Sequence, residues 1–466
     1  MLNRTAVVSL LALLLLVAPR RAAGDPVAAP TTAATQAQTQ AAIEQVLVAM
    51  EKAVLAGDAD AYTAHIATRD AVFLQEQRMW AADLKRHVPS AFDLRIIDPA
   101  ERQANEEASK AAASSAETTA DNNMPGTPAD PTEPSNPSQT DYPHEFGADR
   151  AMFELEMAWK ITVPLAAGEK GKPDEIDRSV SYPVIFERSA NRWLFAGERW
   201  VEVRASASSP APTDADDADD THPPAPKSSA ASTRDNLVLC FPGYEEVAQR
   251  IAEVLPEVRA HVDEGFEQDV PHTQVVKIYP TMRHLQSSIY LSYADGLSGW
   301  NEPLESIKVL VRPKTSRASL RPLLAHEYGH VATFELGPKA TDIPWWALEG
   351  VAELASEGFR KRSGRADEQV RKWAAAGELA EFSKITDFRN TPRQFMGHVY
   401  TQGHHMVAYI SERFGRANRN AWFRAMANGA SINEATRKEL GVEGGFEQLD
   451  VDWRAEVSKP AGENAP

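Results

Sequence analysis

Leu323 to Glu357 reads LLAHEYGHVATFELGPKATDIPWWALEGVAELASE, and it constrains this chain more than any other stretch. It contains His326-Glu327-Tyr328-Gly329-His330, then Glu349-Gly350-Val351-Ala352-Glu353. On a helix, positions four apart share a face, so both imidazoles project together. Two imidazoles so placed suit two ligands of a tetrahedral zinc ion. Glu327 lies about 100° round the same helix, within reach of a water at that ion. A third ligand must come from elsewhere, and a second helix offers Glu349.

The flanks make both helices credible packing elements. Leu323, Leu324, Val331 and Phe334 give the first a face to bury. The second starts at Pro344-Trp-Trp, with Asp342 as its expected N-cap and proline in its first turn. Glu349 and Glu353 then fall on one face of it.

With these residues in view, the two segments resemble the gluzincin clan of zinc metallopeptidases, the peptidase-MA-like relatives of thermolysin and the M1 family. Residues 331–348 put eighteen positions between His330 and Glu349, as in the H-E-x-x-H-x18-E of M1 enzymes. Trp346-Ala-Leu-Glu-Gly-Val-Ala-Glu353 resembles that family's W-L-x-E-G-x-A-x segment. The resemblance implies zinc held by His326, His330 and Glu349, with Glu327 as general base and Glu353 orienting a ligand histidine. Tyr400-Thr-Gln-Gly403, expected to open a helix, resembles the Y-x-K-G whose tyrosine bonds the oxyanion. Glutamine replaces its lysine and leaves the phenol untouched. In the chemistry so implied, zinc acidifies a water and polarises a carbonyl, Glu327 moves a proton from water to the leaving amine, and Tyr400 stabilises the oxyanion. His404 and His405 have no ligand-like spacing and read as structural or surface residues.

There is one departure from the family pattern. No G-x-M-E-N segment, which M1 aminopeptidases use to hold a free amine, is present. A strand at 306–311 occupies the corresponding place, where gluzincins pair an edge strand with an extended substrate. An endopeptidase acting on a peptide or protein therefore fits better than an aminopeptidase. The alternative class is a catalytically idle peptidase-like module that binds zinc and serves protein interaction. A third reading makes both helices merely structural.

The chain has 466 residues, which implies two folded domains. Its net charge of −17 speaks against nucleic acid as a partner. The single cysteine, Cys240, excludes an intramolecular disulfide and reads as a buried structural thiol. Residues 1–24 read as a signal peptide: Arg4, an apolar run from Ala6 to Ala18, then Ala22-Ala23-Gly24. Export to a periplasm, cell surface or medium follows, with no membrane span left after cleavage. An uncleaved anchor is the alternative, because Arg20 and Arg21 interrupt the usual pattern.

Residues 37–204 read as an α+β domain. An apolar stripe from Ile43 to Leu55 ends at Gly57-Asp58. Helices at 59–66 and 73–84 follow, then a strand at 92–98. Strands at 150–163, 180–187 and 192–203 complete it. The stretch 101–144 is rich in Ala, Ser, Thr, Pro and Glu and reads as a disordered insertion. The order of elements, and Ala53-Val-Leu-Ala-Gly-Asp-Ala-Asp-Ala61, resemble the NTF2-like (SnoaL-like) cone superfamily. Many of its members are scaffolds, so this half reads as an accessory domain. The proline-rich 205–234 reads as a flexible linker, making a fixed interface between domains unexpected. Residues 235–456 read as the zincin-like domain. Its strands are expected at 237–241, 274–279 and 306–311, with a glycine-containing loop at 296–302. Helices beyond the metal segments are expected at 366–378, 399–414 and 416–428. The sequence does not set an oligomeric state.

Overall fold

The computed structural model describes residues 33–98, 144–163, 174–204, 236–293, 296–360 and 365–459. The signal peptide, the linker and nearly all of the insertion read from the sequence lie outside the described residues. Among the described residues, no helix is long and apolar enough to cross a membrane.

The N-terminal half is helices against an antiparallel sheet, the α+β plan read from its pattern. Helices α1 (Ala33–Leu55), α2 (Ala59–Thr63) and α3 (Ala71–Leu84) come first. The Asp58 side chain caps α2 and that of Asp70 caps α3. Strand β1 (Ala91–Ile96), the short β2 (Glu145–Phe146), β3 (Arg150–Val163), β4 (Asp174–Ser189) and β5 (Arg192–Glu198) follow. Their order is β1-β3-β4-β5, with β2 beside β3. Ala190 and Asn191 turn β4 into β5 with φ of 47° and 64°, the left-handed pair that matches strand twist. A register shift at Ile185/Phe186 bends the sheet over α1 and α3. Ile43, Leu47 and Val54 pack into that concavity with Trp80, Phe153 and Phe186.

The expected strand 192–203 is in fact two. Its second part, β6 (Val201–Arg204), leaves the first sheet and pairs antiparallel with β7 (Asn236–Cys240) of the second. Arg199 and Trp200 invert the alternation for two positions, but Val201 and Val203 resume the parity of Trp193 and Phe195, so the change of sheet reads as a flaw within one strand.

The C-terminal half interleaves the mixed sheet β6-β7-β8-β10-β9 with helices. Helix α4 (Glu245–Phe266) makes the crossover from β7 to the parallel β8 (Gln274–Tyr279). Helix α5 (Met282–Ile289) leads to β9 (Gly299–Trp300) and β10 (Ile307–Leu310). This corrects the edge-strand expectation. Strand β10 is interior, parallel to β8 on one side and antiparallel to β9 on the other. The edge is β9, inside what reads as a glycine loop, and two residues are too few to show a strand period.

Helix α6 (Arg317–Phe334) carries the two histidines and α7 (Trp345–Glu357) the two glutamates. Helices α8 (Arg365–Ala376), α9 (Met396–Phe414) and α10 (Arg416–Ala427) close the bundle. Two more, α11 (Ile432–Glu439) and α12 (Gly445–Val457), were not expected; α11 is short and poor in apolar residues, whereas α12 carries Phe446, Leu449, Trp453 and Val457 at a helical spacing that the sequence reading missed. Tyr400 lies one turn inside α9 rather than at its start. Asp342 does not cap α7; Pro344 holds that position. The α7 amides of Trp345 and Trp346 instead donate to the carbonyls of Thr386 and Ile385. The cap comes from a distant loop, which local sequence cannot show.

The halves share a polar, buried interface. Glu76 of α3 bonds Lys277 of β8 and the hydroxyl of Ser306. Lys308 of β10, also buried, pairs with Glu305 at 3.2 Å and with the Ser288 carbonyl at 2.9 Å. Although burial works against its charge, the two lysines hold the Glu76 carboxyl below the usual carboxylate range. A folded-state pKa lowered in this way gives stability that is full above the unfolded value near 4.5. It is lost as pH falls through the folded value. Replacing Glu76 with Gln leaves Lys277 buried without its anion, while Lys308 keeps Glu305. Urea unfolding near neutral pH is expected to show a loss of roughly 3–5 kcal/mol, with a flatter acid limb than in the parent.

Candidate metal centre

Three helices place five side chains around one cleft of about 970 Å³. His326 and His330 extend from α6, Glu349 and Glu353 from α7, and Tyr400 from α9. Their approach depends on small residues. A Cβ on Gly350 would stand 2.5 Å from the Gly403 carbonyl carbon, and a Cβ on Gly403 would overlap the Trp346 carbonyl oxygen. Helices α7 and α9 therefore touch backbone to backbone, which brings Tyr400 to within 6.4 Å of the His326 ring, centre to centre.

The Glu349 carboxylate is the centre of the arrangement. Its Oε2 is 3.2 Å from His326 Nε2 and 3.5 Å from His330 Nε2. Its Oε1 accepts from the Trp345 indole at 2.8 Å. Oε2 is buried and has no hydrogen-bond partner. One ligand atom from each of His326, His330 and Glu349 lies within 4.8 Å of the others, and this is the one such group among the described residues. An unbonded buried oxygen facing two imidazole nitrogens is a donor set with room for a cation at its focus. The two histidines and the glutamate fit a metal site of the kind read from the sequence.

The surrounding groups set charge and orientation. His326 Nδ1 is 3.1 Å from Glu353 Oε1, whose other oxygen bonds Arg360. The ring is thus fixed with Nε2 turned to Glu349. Burial opposes charge on His326, but Glu349 and Glu353 outweigh it and raise its pKa to about 10. Burial likewise opposes charge on both carboxylates, and their cationic neighbours prevail. Glu353 falls to about 2, helped by His326 and Arg360, and Glu349 falls further. Glu327 behaves in the opposite sense. Burial pushes its carboxyl up, the histidines offset only part of that, and Glu349 and Glu353 add to the rise. The main chain at Gly299 seals it, since a Cβ there would overlap its Oε1. Burial likewise raises the Tyr400 phenol, which stays protonated and able to donate.

His326, His330, Glu327, Glu349, Glu353 and Tyr400 all line the cleft, so the structure brings the six sequence-selected residues together. His404 and His405 stand outside it. His404 Nε2 is 3.4 Å from Glu357, and His405 bridges Asp367 and the Trp453 indole. Cys240 is fully buried, and burial pushes its thiol up to about 12.

The sequence reading missed several cleft residues. Trp345 stands four before Glu349, a helical spacing that does signal their contact. Glu302 follows the β9 edge; burial and then Glu305 raise its pKa to about 7, and it accepts from Tyr290 at 3.1 Å. Beside it, buried Asn301 has an Oδ1 with no partner. Tyr293, Trp300, Phe388 and Arg389 complete that wall, drawn from positions nearly a hundred residues apart.

No family model and no curated protein matches the chain. Among solved structures it is similar to an M1 zinc metallopeptidase from Deinococcus radiodurans. A mutant of that enzyme aligns with a TM-score of 0.33 at 11% identity, covering 66% of this chain and 62% of that one. The mutant bound to a Tyr-Ser-Ala substrate gives 0.33 at 13%, covering 65% and 62%. The unmutated enzyme gives 0.30 at 11%, covering 64% and 60%. The chain thus spans about three-fifths of those chains.

Two substitutions test the geometry. Gly403→Ala forces α7 and α9 apart. It is expected to cost roughly 1–3 kcal/mol in chemical denaturation and to weaken zinc binding measured by titration. Trp345→Phe frees Glu349 Oε1, and zinc affinity is expected to drop by roughly 10–100-fold with little change in fold by circular dichroism.

Proposed function

We propose that this chain is a zinc-dependent peptidase, exported from the cytoplasm, that hydrolyses peptide bonds within an extended substrate. The observation that carries the reading is the convergence of His326, His330 and the unbonded Glu349 oxygen beside a desolvated Glu327. The three ligands would hold zinc, which when bound acidifies water and polarises a carbonyl. Glu327 takes a proton from the attacking water and passes it to the departing amine. Its raised pKa suits both tasks, because a base too weak would not take the proton and one too strong would not return it. Tyr400 donates its phenolic hydrogen to the oxyanion. Glu353, backed by Arg360, keeps His326 in the tautomer that presents Nε2. The open edge of β9 offers main-chain groups to the substrate beside Glu327. The N-terminal half's helices over a bent sheet support the NTF2-like reading of that unit.

One observation favours a second reading, an enzyme that trims from an amino terminus. Glu302 and the unpartnered Asn301 Oδ1 are acceptors at the β9 end of the cleft, where an ammonium group could be held. Paired peptides with free and acetylated amino termini separate the two. Equal cleavage supports the endopeptidase, and cleavage of the free form alone supports trimming.

Glu327→Gln is expected to abolish hydrolysis of unfolded protein substrates while retaining stoichiometric zinc by elemental analysis. Tyr400→Phe is expected to lower kcat by roughly 10²–10³-fold with KM little changed. A chelator should stop cleavage and added zinc restore it. Zinc bound with no cleavage across a broad panel would favour the idle binding module instead.

A further inference from the structure

The buried carboxylate of Asp83, at the end of α3, belongs to the N-terminal half yet ties together two walls of the cleft. It accepts from Ser292 Oγ at 2.7 Å, from Arg389 Nη2 at 2.6 Å and faces His87 Nδ1 at 2.9 Å. Ser292 adjoins Tyr293, and Arg389 adjoins Phe388. Their rings stack with centres 5.8 Å apart and planes 4° from parallel. Trp300, on the β9 edge, stands edge-on to both, at 5.6 and 5.5 Å. The three rings are half-buried and line the cleft. Phe388 also meets the Trp345 ring at 5.1 Å, and Trp345 bonds Glu349. An aromatic surface therefore runs from the metal ligands to the N-terminal half.

Other bonds from that half grip the same segment. Arg178 donates to the Tyr293 carbonyl at 2.9 Å and to Gln286 at 2.8 Å. The indoles of Trp159 and Trp80 donate to the carbonyls of Leu291 and Ser287. Arg389 in turn lies over the Tyr290 ring at 5.1 Å. Gln286 and Ser287 lie in the last turns of α5, and Leu291 and Tyr293 on the loop that follows it, which has no helix or strand ladder of its own to hold it.

We propose that Tyr293, Trp300 and Phe388 form a subsite for a bulky aromatic or apolar substrate side chain next to the scissile bond, and that Asp83 is the positioning residue that keeps its walls together. The proposal rests on the zinc peptidase reading above and deepens it by naming a substrate class. Aromatic faces left open beside a reaction centre gain most by covering an apolar side chain, since ring-on-ring contact adds to the area removed from water. The anchor is a buried anion bonded to an arginine and a hydroxyl. Loss of its charge loosens both walls at once.

The test uses the full zinc-loaded chain and two probes, acetyl-phenylalanine hydroxamate and acetyl-alanine hydroxamate, followed by calorimetry. The hydroxamate anchors each probe at the metal and the side chain reports the subsite. The parent is expected to bind the phenylalanine probe at least roughly tenfold tighter than the alanine probe. Asp83→Asn and, on the exposed side of the same pair, Arg389→Met should erase most of that preference while leaving the alanine probe's affinity in place. In peptide cleavage the same variants should raise KM for phenylalanine-containing substrates more than they lower kcat. Equal binding of the two probes by the parent overturns the subsite and leaves the metal centre standing. A preference that survives both variants overturns the role of Asp83. Failure of both probes to bind overturns the zinc reading, and this proposal with it. If Asp83→Asn does not fold, Arg389→Met decides alone.

Discussion

The site is organised by the need to satisfy one buried carboxylate. Glu349 places an oxygen out of solvent, gives it no hydrogen-bond donor, and points it between two imidazoles. Such a group in isolation is costly to bury. A cation at the focus of that oxygen and the two Nε2 atoms satisfies it, and the neighbourhood is built to hold that focus in place. Trp345 fixes one oxygen from the side, Glu353 turns His326 from behind, and Arg360 balances Glu353. Charge that would be unfavourable singly becomes a network in which each member orients the next.

Backbone contact then decides how close the members come. The passage of α7 over α9 at Gly350 and Gly403 leaves no side chain between the helices. Tyr400 can approach the histidines only because of this. Across the cleft the same device recurs at Gly299, where main chain covers Glu327 and removes its carboxyl from water. Desolvation of the Glu327 carboxyl and proximity of the Tyr400 phenol therefore have one cause, close approach of backbone at glycine.

How much of this was legible in sequence depends on the range of the interaction. The His326–His330 spacing, the Glu349–Glu353 face and the strands 150–163 and 274–279 are periodic features of single elements. Sequence reading places them within a residue or so. The eighteen-residue interval to Glu349 is also a local count. What escaped the reading is held by partners far away. Asp83 meets Arg389 across 306 positions and Glu76 meets Lys277 across 201, so no window contains both ends. The β9 edge escaped for the opposite reason, being too short to have a period. The cap of α7 was misassigned to Asp342 because a loop carbonyl supplied by residues 385–386 does the work of a local side chain. In each case the missing information is tertiary, not a weak propensity.

The unexpected interface between the halves follows from the same electrostatics. A flexible linker in sequence predicts independent units, yet Glu76, Lys277, Lys308 and Glu305 are buried together where α3 meets the second sheet. Buried ion pairs of this kind contribute little net stability over a well-packed apolar contact, because desolvation consumes most of the attraction. Their directional demands are another matter. An apolar contact between α3 and the sheet would tolerate a slide of about an ångström, whereas the Lys277 ammonium and the Ser306 hydroxyl converging on the Glu76 carboxylate would not. That geometry sets where Asp83 stands, about two turns along the same face of α3 from Glu76. The placement of Asp83 in turn sets the spacing of the loops that carry Tyr293 and Phe388. The N-terminal half thereby braces a wall of the cleft, and its buried charges define the register in which that wall is held.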